Sequence, residues 1–168
     1  CAALAEAARA AGRPVLWSRL VWRPDHRDGG LLVHQIRPRL GEIGALARGS
    51  GDEELAPPCV AEAADHVFDK PRYSCFYATA LPAILSSLGV RSLIVGGVTT
   101  SMCVETTVRD AGQRDIPTFV VREACGDFDA DRHAAALDAM AFGFADVISR
   151  DAAMAALGAL AHGGAAAQ

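Results

Sequence analysis

The chain has 168 residues, 51% of them hydrophobic, and a formal net charge of −4; that length fits one domain, and no apolar run approaches the roughly 20 residues of a membrane span. The acidic balance and the lack of an aromatic-basic stripe argue against nucleic-acid and membrane partners, so a soluble protein is expected. Cys1, Cys59, Cys75, Cys103 and Cys125 form no CxxC pair and no metal-ligand spacing, which argues against a disulfide framework or a zinc site.

Taken in order, Ala2–Ala11 predicts an alanine-rich helix stopped by Gly12; Glu6 and Arg9 within it argue against a signal peptide, and a cytoplasmic location is the default. Val15–Val21 predicts a strand. A helix feeding a parallel strand implies an earlier strand, and the chain starts without Met, so a missing N-terminal piece of one strand is expected. Residues 23–52 read as a long loop. The segment holds Arg23, Arg27, Arg37 and Arg39 with His26 and His34, just beyond Arg19: a solvated surface, or a cationic rim for a carboxylate-bearing substrate. After the Pro57-Pro58 break come a short strand over Asp65–Lys70 and a helix over Phe76–Leu88, with Leu81, Ile84, Leu85 and Leu88 on one face.

Leu93–Val95 predicts a buried strand that breaks at Gly96-Gly97 and runs into a helix with Val104, Val108 and Ala111 inward. Thr118–Val121 is a further strand, Asp131–Phe142 a helix with Ala136, Leu137 and Met140 inward, Ala145–Ser149 a last strand and Asp151–Leu160 a closing helix; the tail from His162 is expected to fray. Such alternation predicts a parallel, doubly wound sheet covered on both faces, with ligands bound beyond the carboxyl ends of its strands. That edge would bring Lys70, the only lysine in the chain, toward Cys103. Cys103 follows Thr99, Thr100 and Ser101 into the first helical turn, where free N–H groups and the helix dipole favour a thiolate. Pattern alone leaves Cys103 open between a nucleophile and a small buried hydrophobe.

The stretch GGVTTSMCVETTVRDA, with DKPRYSCFYATAL upstream and VVREACGDFD downstream, resembles the signature of the isochorismatase-like cysteine hydrolases, which include nicotinamidases, N-carbamoylsarcosine amidases and ureidoacrylate and biuret amidohydrolases. The resemblance implies one α/β domain over residues 1–168, a three-layer α-β-α sandwich around a mostly parallel sheet. It implies Cys103 as nucleophile, Lys70 as the cation beside it, and the amides of Thr99 and Cys103 as an oxyanion hole shaped by a cis peptide at Val98-Thr99. The thiolate would attack a small amide, carbamoyl or ureido carbonyl and pass through a thioester, with no cofactor. Trp22, Tyr73, Phe76 and Phe128 are candidates for the substrate pocket.

In the nicotinamidase branch Asp and His residues hold a metal after the second strand. Here Asp25 and His26 are adjacent, a poor spacing for joint ligation, and no metal is expected. The family's acid-base aspartate, at the end of its first strand in a DxQ-like motif, has no matching segment; Asp25 and Asp69 lie nearest the expected edge but do not fit the motif. Loss of that central strand would leave two open strand edges. Two alternatives therefore stand beside the amidohydrolase: a vinyl-ether hydrolase of the isochorismatase type, and a silent relative. Homo-oligomers are common in the family and are expected here.

Overall fold

A computed structural model describes residues 1–163; residues 164–168, most of the tail expected to fray, lie outside them. Helix α1 (Ala2–Ala10) is alanine-rich, the strongest helix former, and the chain leaves it through Gly12 at φ +64, a left-handed turn that glycine adopts freely. Strand β1 (Leu16–Leu20) pairs in parallel with β2 (His66–Lys70), Leu16 opposite His66 through Leu20 opposite Lys70. The intervening segment, expected as loop, also contains a π-helical turn over Leu32–Ile36 and the single turn α2 (Arg39–Glu42).

Helix α3 (Leu81–Ser87) starts five residues later than the apolar spacing predicts. Ala78 takes φ +52, Thr79 Oγ1 accepts the Leu81 amide at 3.1 Å, and Pro82 fits the first turn, so side-chain and backbone preferences together place the start at Leu81. Strands β3 (Leu93–Val98), β4 (Thr118–Gly126) and β5 (Asp146–Ile148) form a second, wholly parallel sheet in that order. The β3–β4 register slips between Val95 and Gly97, a bulge at the carboxyl end of the strand. Helices α4 (Glu105–Gly112), α5 (Ala130–Gly143) and α6 (Arg150–Gly163) complete the chain.

One hydrophobic cluster joins α4 and the residue before it to β4 and α5, through Val104, Val108, Val120, Leu137 and Met140. Successive strand residues point to opposite faces, so the fully buried Val121 faces the other layer, where α6 contacts β4 and packs on α1. The parallel sheets are thus flanked by helices, as the alternating pattern predicts. Among the described residues the two sheets share no ladder, in keeping with the two open strand edges expected from the sequence. They meet instead through side chains: Leu16 of β1, Phe68 of β2 and Leu93 of β3 all pack on the cluster of Phe76, Leu81, Leu85 and Ala111.

Candidate active site

Lys70 is the last residue of β2, and Pro71 turns the chain away behind it. Its side chain is buried, 3% exposed, in a position where a cation is costly unless every proton finds an acceptor. Three acceptors are present: the Tyr73 carbonyl at 2.6 Å, the Arg72 carbonyl at 3.3 Å and Cys103 Sγ at 3.1 Å. An ammonium has three protons, so the group is fully used and held in place.

Cys103 arrives from the other sheet. Gly96 lets β3 lie close to β4, since a Cβ there would sit 2.8 Å from the Ala124 Cβ. The Val98-Thr99 peptide is cis, Thr99 is extended at φ −94 and ψ 150, and the chain then enters a π-helical turn over Thr100–Val104 ahead of α4. The amides of Met102 and Val104 donate to the Thr99 carbonyl at 3.3 and 3.1 Å, winding the turn on which Cys103 stands. The sulfur therefore lies near the positive end of a helix and beside a fixed cation, both of which attract negative charge.

A ring of polar contacts fixes this turn. The Asp127 side chain is fully buried and accepts the Ser101 amide at 2.7 Å and the Phe128 amide at 2.8 Å, with the Arg132 guanidinium 3.7 Å away. Burial opposes charge on Asp127, yet the Ser101 and Phe128 amides, with the Arg132 charge, outweigh it and hold the carboxyl below its ordinary range. Thr100 Oγ1 and His133 Nδ1 are 2.8 Å apart, which ties the turn to α5. Thr100, expected only as a residue of the turn before the helix, thus gains a partner in α5, and neither Asp127 nor His133 stood out in the sequence; the GDFD stretch at the carboxyl end of β4 was the available signal for Asp127.

The aromatic candidates divide. Tyr73 is half-buried beside the Lys70–Cys103 pair; burial pushes its hydroxyl up, Cys103 adds to the shift, and the Arg37 charge opposes it. Trp22 is 1% exposed and its indole N–H donates to the Pro71 carbonyl at 3.1 Å, which makes it a support for the turn after Lys70 rather than a loop-borne wall. Phe76 is a core residue, 5% exposed, with the Arg114 guanidinium over its ring, because the chain from Ser74 folds inward before α3. Phe128 is 86% exposed.

Most of the suspected cationic rim is paired within the protein. Arg19 meets Asp69 and Glu54, Arg23 and Arg27 meet Asp25, and Arg39 meets Glu42. His26 is buried against the Ala45 carbonyl at 2.8 Å. Arg37 is exposed and has no acidic partner among the described residues. No group of three His, Cys, Asp or Glu side chains suited to a metal occurs among the described residues, and no helix there is long and apolar enough to cross a membrane. A surface depression lined by Gly112, Asp115, Pro117 and Phe144 lies before β4 and β5, at the edge opposite the Lys70–Cys103 pair. Parallel sheets bind ligands at the carboxyl ends of their strands, the edge where the Lys70–Cys103 pair lies and the depression does not.

Residues 1–152 match the family model described as isochorismatase domain. The ureidoacrylate amidohydrolase RutB of Methylorubrum extorquens is 36% identical over 130 residues, covering 70% of this chain and 52% of that protein. RutB of Methylobacterium radiotolerans is 37% identical, with 70% and 50% covered. The chain thus spans about half the length of these curated relatives. A cysteine hydrolase from Pseudomonas syringae pv. phaseolicola superposes with a TM-score of 0.87 at 28% identity, over 94% of this chain and 78% of that one. Nicotinamidase PncA from Bacillus subtilis, at 20% identity and a TM-score of 0.74 over 88% of this chain and 81% of that one, shares the fold.

Proposed function

The chain belongs to the isochorismatase family, and from that premise we propose that it is a cysteine-dependent hydrolase of a small non-peptide C–N bond in an amide, carbamoyl or ureido compound. The observation that carries this reading is the buried Lys70 ammonium 3.1 Å from Cys103 Sγ. Cys103 attacks the carbonyl as thiolate, and Lys70 holds the negative charge before attack. The amides of Thr99 and Cys103 take the oxyanion. The C–N bond breaks, the amine leaves with a proton, and water hydrolyses the thioester to acid and free thiol. Lys70, with its protons committed to two carbonyls and the sulfur, serves as fixed charge; proton transfer to the leaving nitrogen belongs to a separate acid-base group.

The RutB relatives are named for ureidoacrylate, a ureido compound bearing a carboxylate, and Arg37, exposed and without an acidic partner among the described residues, supports a substrate of that kind. We take the chain as one domain acting in a homo-oligomer, a reading supported by the core shared between the sheets and by the exposed Phe128 and Phe142. Cys103→Ala tests the mechanism: release of ammonia from ureidoacrylate should disappear, and release at the wild-type rate would overturn it. Pyruvate release from isochorismate would favour the vinyl-ether reading instead, and a Cys103 inert to iodoacetamide would favour a silent relative.

A further inference from the structure

A polar seam that the mechanism above does not use runs between the two halves of the site. The loop after Lys70 supplies two of its acceptors, the Arg72 and Tyr73 carbonyls. The next two residues are fastened to α4: Ser74 Oγ donates to the Asp110 carboxylate, and the Cys75 amide donates to Thr107 Oγ1 at 3.0 Å. The same Thr107 hydroxyl donates its proton to the Cys103 carbonyl at 2.7 Å. One hydroxyl, on a residue 5% exposed, thus accepts from the lysine-holding loop and donates to the cysteine itself. A back-bond from threonine to the carbonyl four residues earlier is common in helices, and a second bond to a separate segment is what this geometry adds.

We propose that Thr107 is a positioning residue that sets the distance between the Lys70 ammonium and the Cys103 sulfur, with Ser74–Asp110 as a second fastening of the same loop. The proposal rests on reading Cys103 and Lys70 as nucleophile and cation. A Thr107 that only satisfies the buried Cys75 amide would affect stability and nothing else.

Thr107→Val keeps the shape and removes the hydroxyl, whereas Thr107→Ser keeps the hydroxyl. Site-resolved alkylation of Cys103 by iodoacetamide at pH 7, together with kcat and KM on ureidoacrylate, reads the effect. For Thr107→Val both the alkylation rate and kcat should fall about tenfold with KM little changed, because misplaced reacting groups cost rate before they cost binding. Thr107→Ser should restore both. A Thr107→Val protein that melts earlier but keeps the wild-type alkylation rate and kcat overturns the proposal, as does a Thr107→Ser protein no better than Thr107→Val. If Thr107→Val does not fold, Ser74→Ala decides, with slower alkylation supporting the proposal and an unchanged rate overturning it. Full activity of Cys103→Ala would remove the hydrolase reading while leaving the alkylation readout of Thr107 intact, so the two failures are distinct.

Discussion

Lys70 stands alone among cationic side chains that are otherwise all arginine, and its surroundings give a reason. Its three acceptors converge on one nitrogen inside a buried space. A guanidinium spreads its donors over a planar fork and cannot bring them to one point. Lys70→Arg, which keeps the charge, should therefore lower kcat by about 10²-fold, comparable to losing one preorganised electrostatic contact; activity within a few-fold of wild type would show that charge alone suffices. At Arg37 the logic is reversed, because its charge is free of acidic partners among the described residues. Arg37→Gln should raise KM for ureidoacrylate by roughly tenfold, the weight of a charge-assisted hydrogen bond, and leave KM for a neutral amide substrate unchanged. Equal effects on both substrates would exclude a carboxylate contact.

At the scale of elements, α5 shows burial that follows directly from spacing. Ala136, Leu137 and Met140 lie on one stripe and are 4%, 6% and 0% exposed, the pattern an amphipathic helix imposes. Met140→Ala should cost about 2–5 kcal/mol by leaving a cavity between α5 and β4; a denaturant titration showing less than 1 kcal/mol would mean that the core closes over the gap. Such periodic elements were legible in the sequence because one physical requirement, burial of a face, repeats along them. The loop before α3 was not. Phe76–Ala80 carries residues compatible with a helix, but Ser74 Oγ accepting the Phe76 amide at 3.1 Å, and Ala78 at φ +52, give the backbone other partners and another course. The site divides in the same way: the approach of Lys70 to Cys103 was legible because Lys70 ends β2 and Cys103 stands in the turn that follows β3, at the same edge. Asp127, Thr107 and the Ser74–Asp110 contact were not, since polar pairs between 26 and 36 residues apart leave no periodic mark.

For the whole molecule, charge ties the layers together and sets the pH range of stability. Asp65 is joined to α1 by Arg9, to β1 by the Trp17 indole at 2.9 Å and to its own loop by the Glu62 amide at 3.0 Å. The Arg9 hydrogen bond above all holds its carboxyl well below the usual carboxylate range. Glu53 is lowered chiefly by the Gly49 amide, and Asp127 is lowered as described. A carboxyl whose folded pKa is depressed stabilises the fold above its unfolded pKa, about 3.9 for Asp and 4.3 for Glu, and loses that contribution as pH falls below it. Cys125 has the opposite sign: burial beside the α4–β4–α5 core pushes its thiol up to about 11. The unfolded thiol ionises near 8.5, so from about that pH upward the unfolded state gains what the folded thiol is denied, and stability falls as pH rises toward 11. Thermal melts should therefore show a plateau between about pH 5 and 8, flanked by an acid limb and an alkaline limb. Cys125→Ala removes only the second group, so its alkaline limb should be shallower than wild type while its acid limb keeps the same slope. An alkaline limb unchanged in Cys125→Ala would mean that another group, such as the raised Tyr73 hydroxyl, governs the loss.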